Sequence, residues 1–276
     1  MPTNTWSAYN FWDQDGDGIG DTWYAGCPKC TVKLDRPYLD HGEPPHFRRY
    51  DLPFLHWLSR HKRPADYLTD AELESARSGA TLARAYDLII FPGHHEYVTQ
   101  HEYKVIARYR DLGGNLMFLS ADNFFWKVGR SGRVLRRVVR WRLLGRPEAA
   151  LIGVQYRGND RGQRKGAYIV RRTAGFGWLF RGTGLKVGSR FTGFGYPTGP
   201  FGIEIDATAR SSPSSTHVLA EIPNLFGPGR TAQMTYYETL KGAKVFAAGA
   251  FTLAGAATWQ PVDRMLENLW THLARP

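Results

Sequence analysis

A buried strand, an amphipathic helix and a second buried strand follow one another between residues 86 and 119, and this succession constrains the fold most. The run YDLIIFPG is continuously apolar, as in a strand buried on both faces. TQHEYKVIARYRDLGG has helical spacing, with Thr99 as candidate N-cap and Glu102 three residues later. NLMFLS reads as another buried strand. The order predicts an α/β fold with a mostly parallel, flavodoxin-like sheet flanked by helices, whose functional loops follow the strands.

The second half of the chain has a different pattern of apolar residues and glycines. Short alternating segments rich in glycine predict a β-rich insertion at about residues 129–230. RTAQMTYYET and AKVFAAGAF then read as paired strands, and PVDRMLENLWTHLAR as an amphipathic helix. Because no repeat or long linker divides the sequence, we expect one α/β domain over residues 1–276, with an Asp-rich loop inserted at residues 13–24.

Charge and hydropathy narrow the possible partners. Thirty-six Lys and Arg against twenty-five Asp and Glu give a net charge of +11, concentrated in the acid-free segment 127–146. We interpret this basic segment as a solvent-exposed face. Binding of nucleic acid is not expected, because the sequence shows no pattern of a docking helix or of a surface on which bases stack. No apolar run approaches the roughly 18 residues of a membrane span, and the first residues lack a signal-peptide pattern. Cytoplasm is therefore the default compartment. The two cysteines, Cys27 and Cys30, would supply only half of a four-ligand zinc site. We expect either a local disulfide that closes the loop or two free thiols without a function.

The string DQDGDGIGD has the spacing of a loop that binds a hard cation. Asp13, Asp15, Asp17 and Asp21 occupy loop positions 1, 3, 5 and 9, and Gly18 at position 6 permits the sharp turn. Position 12 holds a tyrosine instead of a bidentate glutamate, so the loop resembles the calcium loops of dockerin and thrombospondin repeats. We expect a structural calcium ion here, which would be easier to bind outside the cell; an unfilled acidic turn is the alternative.

Two polar segments follow the predicted strands. PGHHEY places His94, His95 and Glu96 directly after LIIF, and SADN places Asn123 after the next strand. Loops at these positions form the ligand cleft in α/β sheets. By spacing alone, the first segment fits a metal cluster, an acid/base pair or a plain strand-to-helix turn.

The chain resembles known families in these same segments. YDLIIFPGHHEY, the helix and LGGNLMFLSADN are similar to the class I glutamine amidotransferase fold, although Ala121 stands near the place of its nucleophilic cysteine. More specifically, the chain resembles the catalytic region of the large (beta) subunit of N,N-dimethylformamidase. The matching strings are TNTWSAYNFW, LDRPY, LPFLHWL, YLTD, LIIFPGHHEY, GGNLMFLSADNFFW, FGIEID and MTYYETLKGAKVFAAGA.

This resemblance implies a site. In that family two tyrosines and a glutamate bind one iron ion, and the matching positions are Tyr9, Tyr38 and Glu96. The surrounding histidine, asparagine and glutamate match His94, Asn123 and Glu204. Phenolate and carboxylate oxygens suit ferric iron, which polarises a carbonyl and activates water.

Two functions follow as hypotheses. The first is a metal-dependent hydrolase of carbon–nitrogen bonds in a small non-peptide amide. The second is a non-catalytic, calcium-stabilised module that binds a glycan, a protein or a polyanion. The resemblance also implies that a small partner subunit, an upstream domain or a second copy of the chain accompanies this one.

Overall fold

The computed structural model describes residues 1–25, 31–193, 201–251 and 253–274, so that Cys27 and Cys30 lie outside the described part. Within it, the α-helices are α1 (Thr3–Tyr9), α2 (Phe47–Tyr50), α3 (Leu52–Arg60), α4 (Asp70–Ser75), α5 (Gly79–Ala85), α6 (Gln100–Asp111), α7 (Ala149–Ile152), α8 (Gly177–Phe180) and α9 (Val262–Leu273). None of these helices is long and apolar enough to cross a membrane.

Strands form three sheets in the same part of the chain. They are β1 (Thr31–Lys33), β2 (Leu88–Phe91), β3 (Tyr97–Val98), β4 (Asn115–Phe118), β5 (Trp126–Ser131), β6 (Val134–Arg140), β7 (Gln155–Asn159), β8 (Lys165–Gly166), β9 (Tyr168–Val170), β10 (Arg190–Phe191), β11 (Phe201–Ala207), β12 (His217–Ile222), β13 (Ala232–Glu238), β14 (Lys244–Ala247) and β15 (Ala250–Phe251). Seven of them form the largest sheet, in the order β10-β9-β12-β13-β14-β4-β2.

The largest sheet is mixed, which corrects the prediction of a mostly parallel, flavodoxin-like sheet. Only β14, β4 and β2 run parallel, and the other neighbours pair antiparallel. The reason is that β9, β12 and β13 extend the parallel strands by antiparallel pairing, whereas β7, β8, β11 and β15 form a sheet of their own. Likeness to the glutamine amidotransferase fold is therefore not confirmed.

Local signals agree with the structure where the sequence pattern was strongest. Helix α6 begins at the N-cap Thr99, whose hydroxyl accepts from the backbone of Glu102 while the Glu102 carboxylate accepts from the backbone of Thr99. Such a reciprocal capping box satisfies two amide groups that a helix start leaves free. Strand β4 is fully buried, and β13 pairs with β14 as the sequence predicted. Strand β2 lies at the sheet edge and is half-buried, unlike the predicted strand with two covered faces.

Two cores hold these layers together on opposite faces of the large sheet. One packs α3, α8 and α9 against it through side chains such as Trp57, Met117 and Leu266. The other packs α5 and α6 through Ile106, Leu116 and similar residues. The loops after β2 and β4 emerge from this framework side by side, because the two strands are parallel neighbours. The basic segment 127–146 forms most of the hairpin β5–β6 in a smaller sheet with β1 and β3.

Candidate functional site

The residues predicted at the strand ends are buried together. His94, His95 and Glu96 occupy the loop between β2 and β3, and Asn123 follows β4. Each is at most 5% exposed, as expected of side chains that face an interior site rather than solvent. The sequence therefore located these loops correctly from the strand pattern alone.

His94 lies between two carboxylates. Its Nε2 is 3.0 Å from Oε2 of Glu96, and its Nδ1 is 3.5 Å from Oε2 of Glu204 on strand β11. The ring stacks on Phe251 at a centroid distance of 4.7 Å, which fixes its plane. Glu204 is held in turn by Asn159, whose Nδ2 donates to Oε1 at 2.6 Å. The structure thus brings Glu204, which is distant in sequence, to His94 and Glu96 in one acid/base array.

Burial and mutual charge shift these groups in characteristic directions. Burial alone would lower the pKa of His94, but attraction to Glu204 and Glu96 outweighs it and raises the pKa above the ordinary histidine value. Burial raises the pKa of Glu204 to about 7, against the opposing effect of His94. Such opposed environments are typical of groups that exchange protons near neutral pH.

Asp122 joins this array and was missed at the sequence level. Ligand atoms of His94, Asp122 and Glu204 all lie within 4.8 Å of one another. Three buried atoms of the set, His94 Nδ1, Asp122 Oδ1 and Glu204 Oε2, have no hydrogen-bond partner among the described residues. Burial, and then the charge of Glu204, raises the pKa of Asp122 well above that of a free aspartate. A shared proton or a cation would satisfy these atoms.

Asp206 was missed as well, although a signal existed. In FGIEID, Glu204 and Asp206 are two residues apart on one strand, a spacing that places both side chains on the same face. Burial raises the pKa of Asp206 to about 7. The interior of the site is therefore strongly acidic. Four carboxylates lie near His94, and they belong to Glu96, Asp122, Glu204 and Asp206.

Asn123 presents a free donor. Its Oδ1 accepts from the backbone N–H of His95 at 3.3 Å, which leaves its Nδ2 buried and without a partner in the described part of the chain. A buried amide group of this kind can donate to a carbonyl oxygen on which negative charge develops.

Two tyrosines border Glu96, and only one of them was expected. The ring of Tyr9 stacks on that of Tyr24, with a centroid distance of 4.0 Å and an interplanar angle of 13°. The hydroxyl of Tyr24 donates to Oε2 of Glu96 at 2.5 Å and lies 2.5 Å from the hydroxyl of Tyr97. Burial, and then the negative charge of Glu96, raises the pKa of Tyr9 and of Tyr24 well above 10. Without a cation these phenols therefore stay neutral.

Tyr38 has a different environment. Its hydroxyl is hydrogen-bonded to Ser7, and the charged groups that act on it are those of Arg36 and Asp70. Burial raises its pKa. Tyr24 therefore contacts Tyr9 and Glu96, two of the three predicted iron ligands, whereas the contacts of Tyr38 are with Ser7, Arg36 and Asp70.

A cavity of about 1080 Å³ opens onto the site. Its walls include Tyr9, Tyr24, His46, Arg49, Glu204 and Phe251. A smaller cavity of about 560 Å³ runs along the edge strand β2 between mainly apolar side chains. Because Glu204 of the acid/base array lines the larger cavity together with Tyr9 and Tyr24, we place the candidate active site there.

The Asp-rich loop is separate from this cavity. Ligand atoms of Asp13, Asp15 and Asp21 lie within 4.8 Å of one another, and Asp17 does not belong to the group. Asp13 accepts from the backbone N–H groups of Gly16 and Gly18 at 2.8 Å each, which closes the turn. Calcium binding by the four aspartates stays a prediction.

Comparison with known proteins identifies a similar fold and the family of this chain. A solved structure of a cytoplasmic protein from Salmonella typhimurium is similar, with a TM-score of 0.50 and 12% identity over 82% of this chain and 88% of that one. At this identity the likeness concerns the fold alone. A search of curated protein sequences gives no match. The model of the family described as N,N-dimethylformamidase beta subunit-like, C-terminal, matches residues 1–263, and the chain belongs to that family.

Proposed function

We propose that this protein is a metal-dependent hydrolase that cleaves the carbon–nitrogen bond of a small, non-peptide amide. The family suggests a hydrolase. The observation that carries the proposal is the position of His94, which lies 3.0 Å from Glu96 and 3.5 Å from Glu204, and Glu204 in turn lines a large cavity. Two buried carboxylates joined through an imidazole form an arrangement that can move a proton between water and a leaving amine.

The oxygen donors beside Glu96 fit the iron ion that the family implies. Phenol and carboxylate oxygens are the hard ligands that ferric iron prefers. The resemblance assigns Tyr9, Tyr38 and Glu96, whereas the contacts described above favour Tyr24 in place of Tyr38, because its hydroxyl already meets Glu96. A trivalent ion bound by these residues would supply the charge that ionises the phenols, and would polarise the amide carbonyl and lower the pKa of water.

The remaining steps belong to the protein's own side chains. Glu204 accepts a proton from the water that attacks the carbonyl carbon, and it returns this proton to the nitrogen as the carbon–nitrogen bond breaks. His94 is hydrogen-bonded to Glu96 through Nε2, and it positions Glu204 by charge attraction across the 3.5 Å between Nδ1 and Oε2. The unpaired Nδ2 of Asn123 donates to the carbonyl oxygen as its charge increases.

Amine release from N,N-dimethylformamide and related small amides, measured with the iron-bound protein, tests the proposal. Glu204→Gln should lower kcat by about 10²- to 10⁴-fold, as expected for loss of a general acid/base. Glu221→Gln is the matched control, since Glu221 lies on β12, the next strand along the chain but in a different sheet, and pairs with Arg171 near the surface. Its kcat should equal that of the wild type.

Two results would contradict the proposal. One is an iron-bound protein that hydrolyses no small amide; the other is a Glu204→Gln variant as active as the wild type. If hydrolysis is absent while calcium raises the melting temperature, the non-catalytic binding module that the sequence also allowed becomes the better description.

A further inference from the structure

The wall of the active-site cavity carries an arginine for which the described residues show no acidic partner. Arg49 belongs to the short helix α2 and lines the cavity together with Asp160 and Glu204. Its guanidinium lies over the ring of Tyr50, 5.7 Å from the centroid, and its Nε is buried without a hydrogen-bond partner. In the described part of the chain, several arginines form ion pairs with Asp or Glu, and Arg49 is not one of them.

Two acidic residues, Asp160 and Glu204, line the same cavity, and neither forms an ion pair with Arg49 among the described residues. The carboxylate of Asp160 accepts from the backbone N–H groups of Gly162 and Arg164, and that of Glu204 accepts from Asn159. The preceding residue, Arg48, shows the contrast. It is 55% exposed and forms a two-point ion pair with Glu43 on the outside of the same helix.

Arg49 is connected to the reacting end of the cavity through His46. The ring of His46 lies 5.4 Å from that of Tyr9 and 5.2 Å from that of Tyr50. Arg49 is a permanent positive charge in the cavity wall, as is Arg161, and its neighbours Tyr50 and His46 connect it to Tyr9.

The buried Nε of Arg49 has no acceptor in the described part of the chain, and leaving such a donor unpaired is unfavourable. A substrate carboxylate would accept from Nε and from a second N–H of the planar guanidinium and would also neutralise its charge, which a neutral amide cannot do. We infer that Arg49 binds an anionic group of the substrate, so that the protein acts on small amides that carry a carboxylate. That the bound anion is part of a substrate rests on the proposed hydrolase function. Binding of an anion by Arg49 does not depend on that function.

A pair of matched amides tests it. N-formylglycine and N-ethylformamide differ in the carboxylate, and succinamate and butanamide repeat the comparison with the carboxylate on the acyl side. With iron-bound wild-type protein, kcat/KM should be about 10- to 100-fold higher for the anionic member of at least one pair. Arg49→Gln should abolish this preference mainly through KM, Arg49→Lys should restore part of it, and Arg48→Gln should retain all of it.

Binding of succinate, measured by calorimetry, separates the two proposals. If no amide is hydrolysed but succinate binds to the wild type and to Arg48→Gln and not to Arg49→Gln, the hydrolase proposal fails and the anion site stands. If neutral and anionic amides react equally well and Arg49→Gln changes neither rates nor succinate binding, the anion site is refuted while the hydrolase stands. Circular dichroism and urea unfolding of each variant establish that it is folded.

Discussion

The backbone N–H of Asp122 donates to both carboxylate oxygens of Asp206, at 3.0 Å each. Asp122 has a φ of 53°, a left-handed conformation that is uncommon for residues other than glycine. The bond therefore holds an unfavourable turn at the end of β4, and that turn sets the direction of the next side chain, Asn123. Asp206 acts as a positioning residue for the loop.

Replacing Asp206 tests this role. Asp206→Ala leaves a buried N–H without an acceptor, and we expect the free energy of unfolding to fall by about 1–3 kcal/mol. Asp206→Asn keeps one acceptor oxygen and should cost less. Urea unfolding of both variants checks the order, and an alanine variant that unfolds at the wild-type midpoint would show that the bond does not hold the turn.

The second phenol of the iron site can be identified by substitution. Tyr24 contacts both Tyr9 and Glu96, whereas Tyr38 is bonded to Ser7. Tyr9→Phe and Tyr24→Phe should therefore lower the bound iron and the visible phenolate-to-iron absorption band, and Tyr38→Phe should preserve both. Elemental analysis with absorption spectra measures this. Loss of iron in Tyr38→Phe with retention in Tyr24→Phe would restore the ligand set that the family resemblance assigns.

The sequence predicted local structure and strand-end loops well because these depend on neighbouring residues. The capping pair Thr99 and Glu102 fixes the start of a helix within four residues. Sheet direction could not be predicted in this way, because β9 and β12 join the large sheet through pairings between distant segments. The same holds for Tyr24: which ring stacks on Tyr9 depends on the path of the intervening loop, and spacing does not encode that path.

The Asp-rich loop offers a comparison inside a single turn. Asp13, Asp15 and Asp21 converge, whereas Oδ1 of Asp17 accepts from the backbone N–H of Ile19 at 2.7 Å. If the loop binds calcium, the ion should raise the melting temperature of the wild type, since a ligand that binds only the folded state stabilises it. Asp15→Asn should remove most of this increase and Asp17→Asn little. Equal losses, or no effect of calcium on the wild type, would contradict this arrangement.

Asp51 makes the stability of the protein depend on pH. It is 1% exposed, and its carboxylate packs so closely on Gly93 that a β-carbon there would come within 2.4 Å of Oδ1. Burial raises its pKa to about 7, although attraction to the N-terminal ammonium group and to His94, and a hydrogen bond from Trp6, oppose this shift. An unfolded aspartate has a pKa of about 3.9, so between about pH 4 and 7 the folded protein binds a proton that the unfolded chain does not.

The free energy of unfolding should therefore fall as the pH rises through this range, and the contribution of Asp51 should be complete below about pH 4 and lost above about pH 7. The asparagine of Asp51→Asn stays uncharged, so the unfolding free energy of this variant should decline less steeply with pH. The difference in bound protons that sets this slope should be smaller by up to about one proton. The variant should exceed the wild type in stability most at alkaline pH. Urea unfolding from pH 4 to 8 measures both slopes. Asp35→Asn, whose side chain is 45% exposed, is the control and should follow the wild type. Parallel curves for Asp51→Asn and the wild type would mean that Asp51 titrates alike in the folded and unfolded chains, and that its burial against Gly93 does not oppose ionisation.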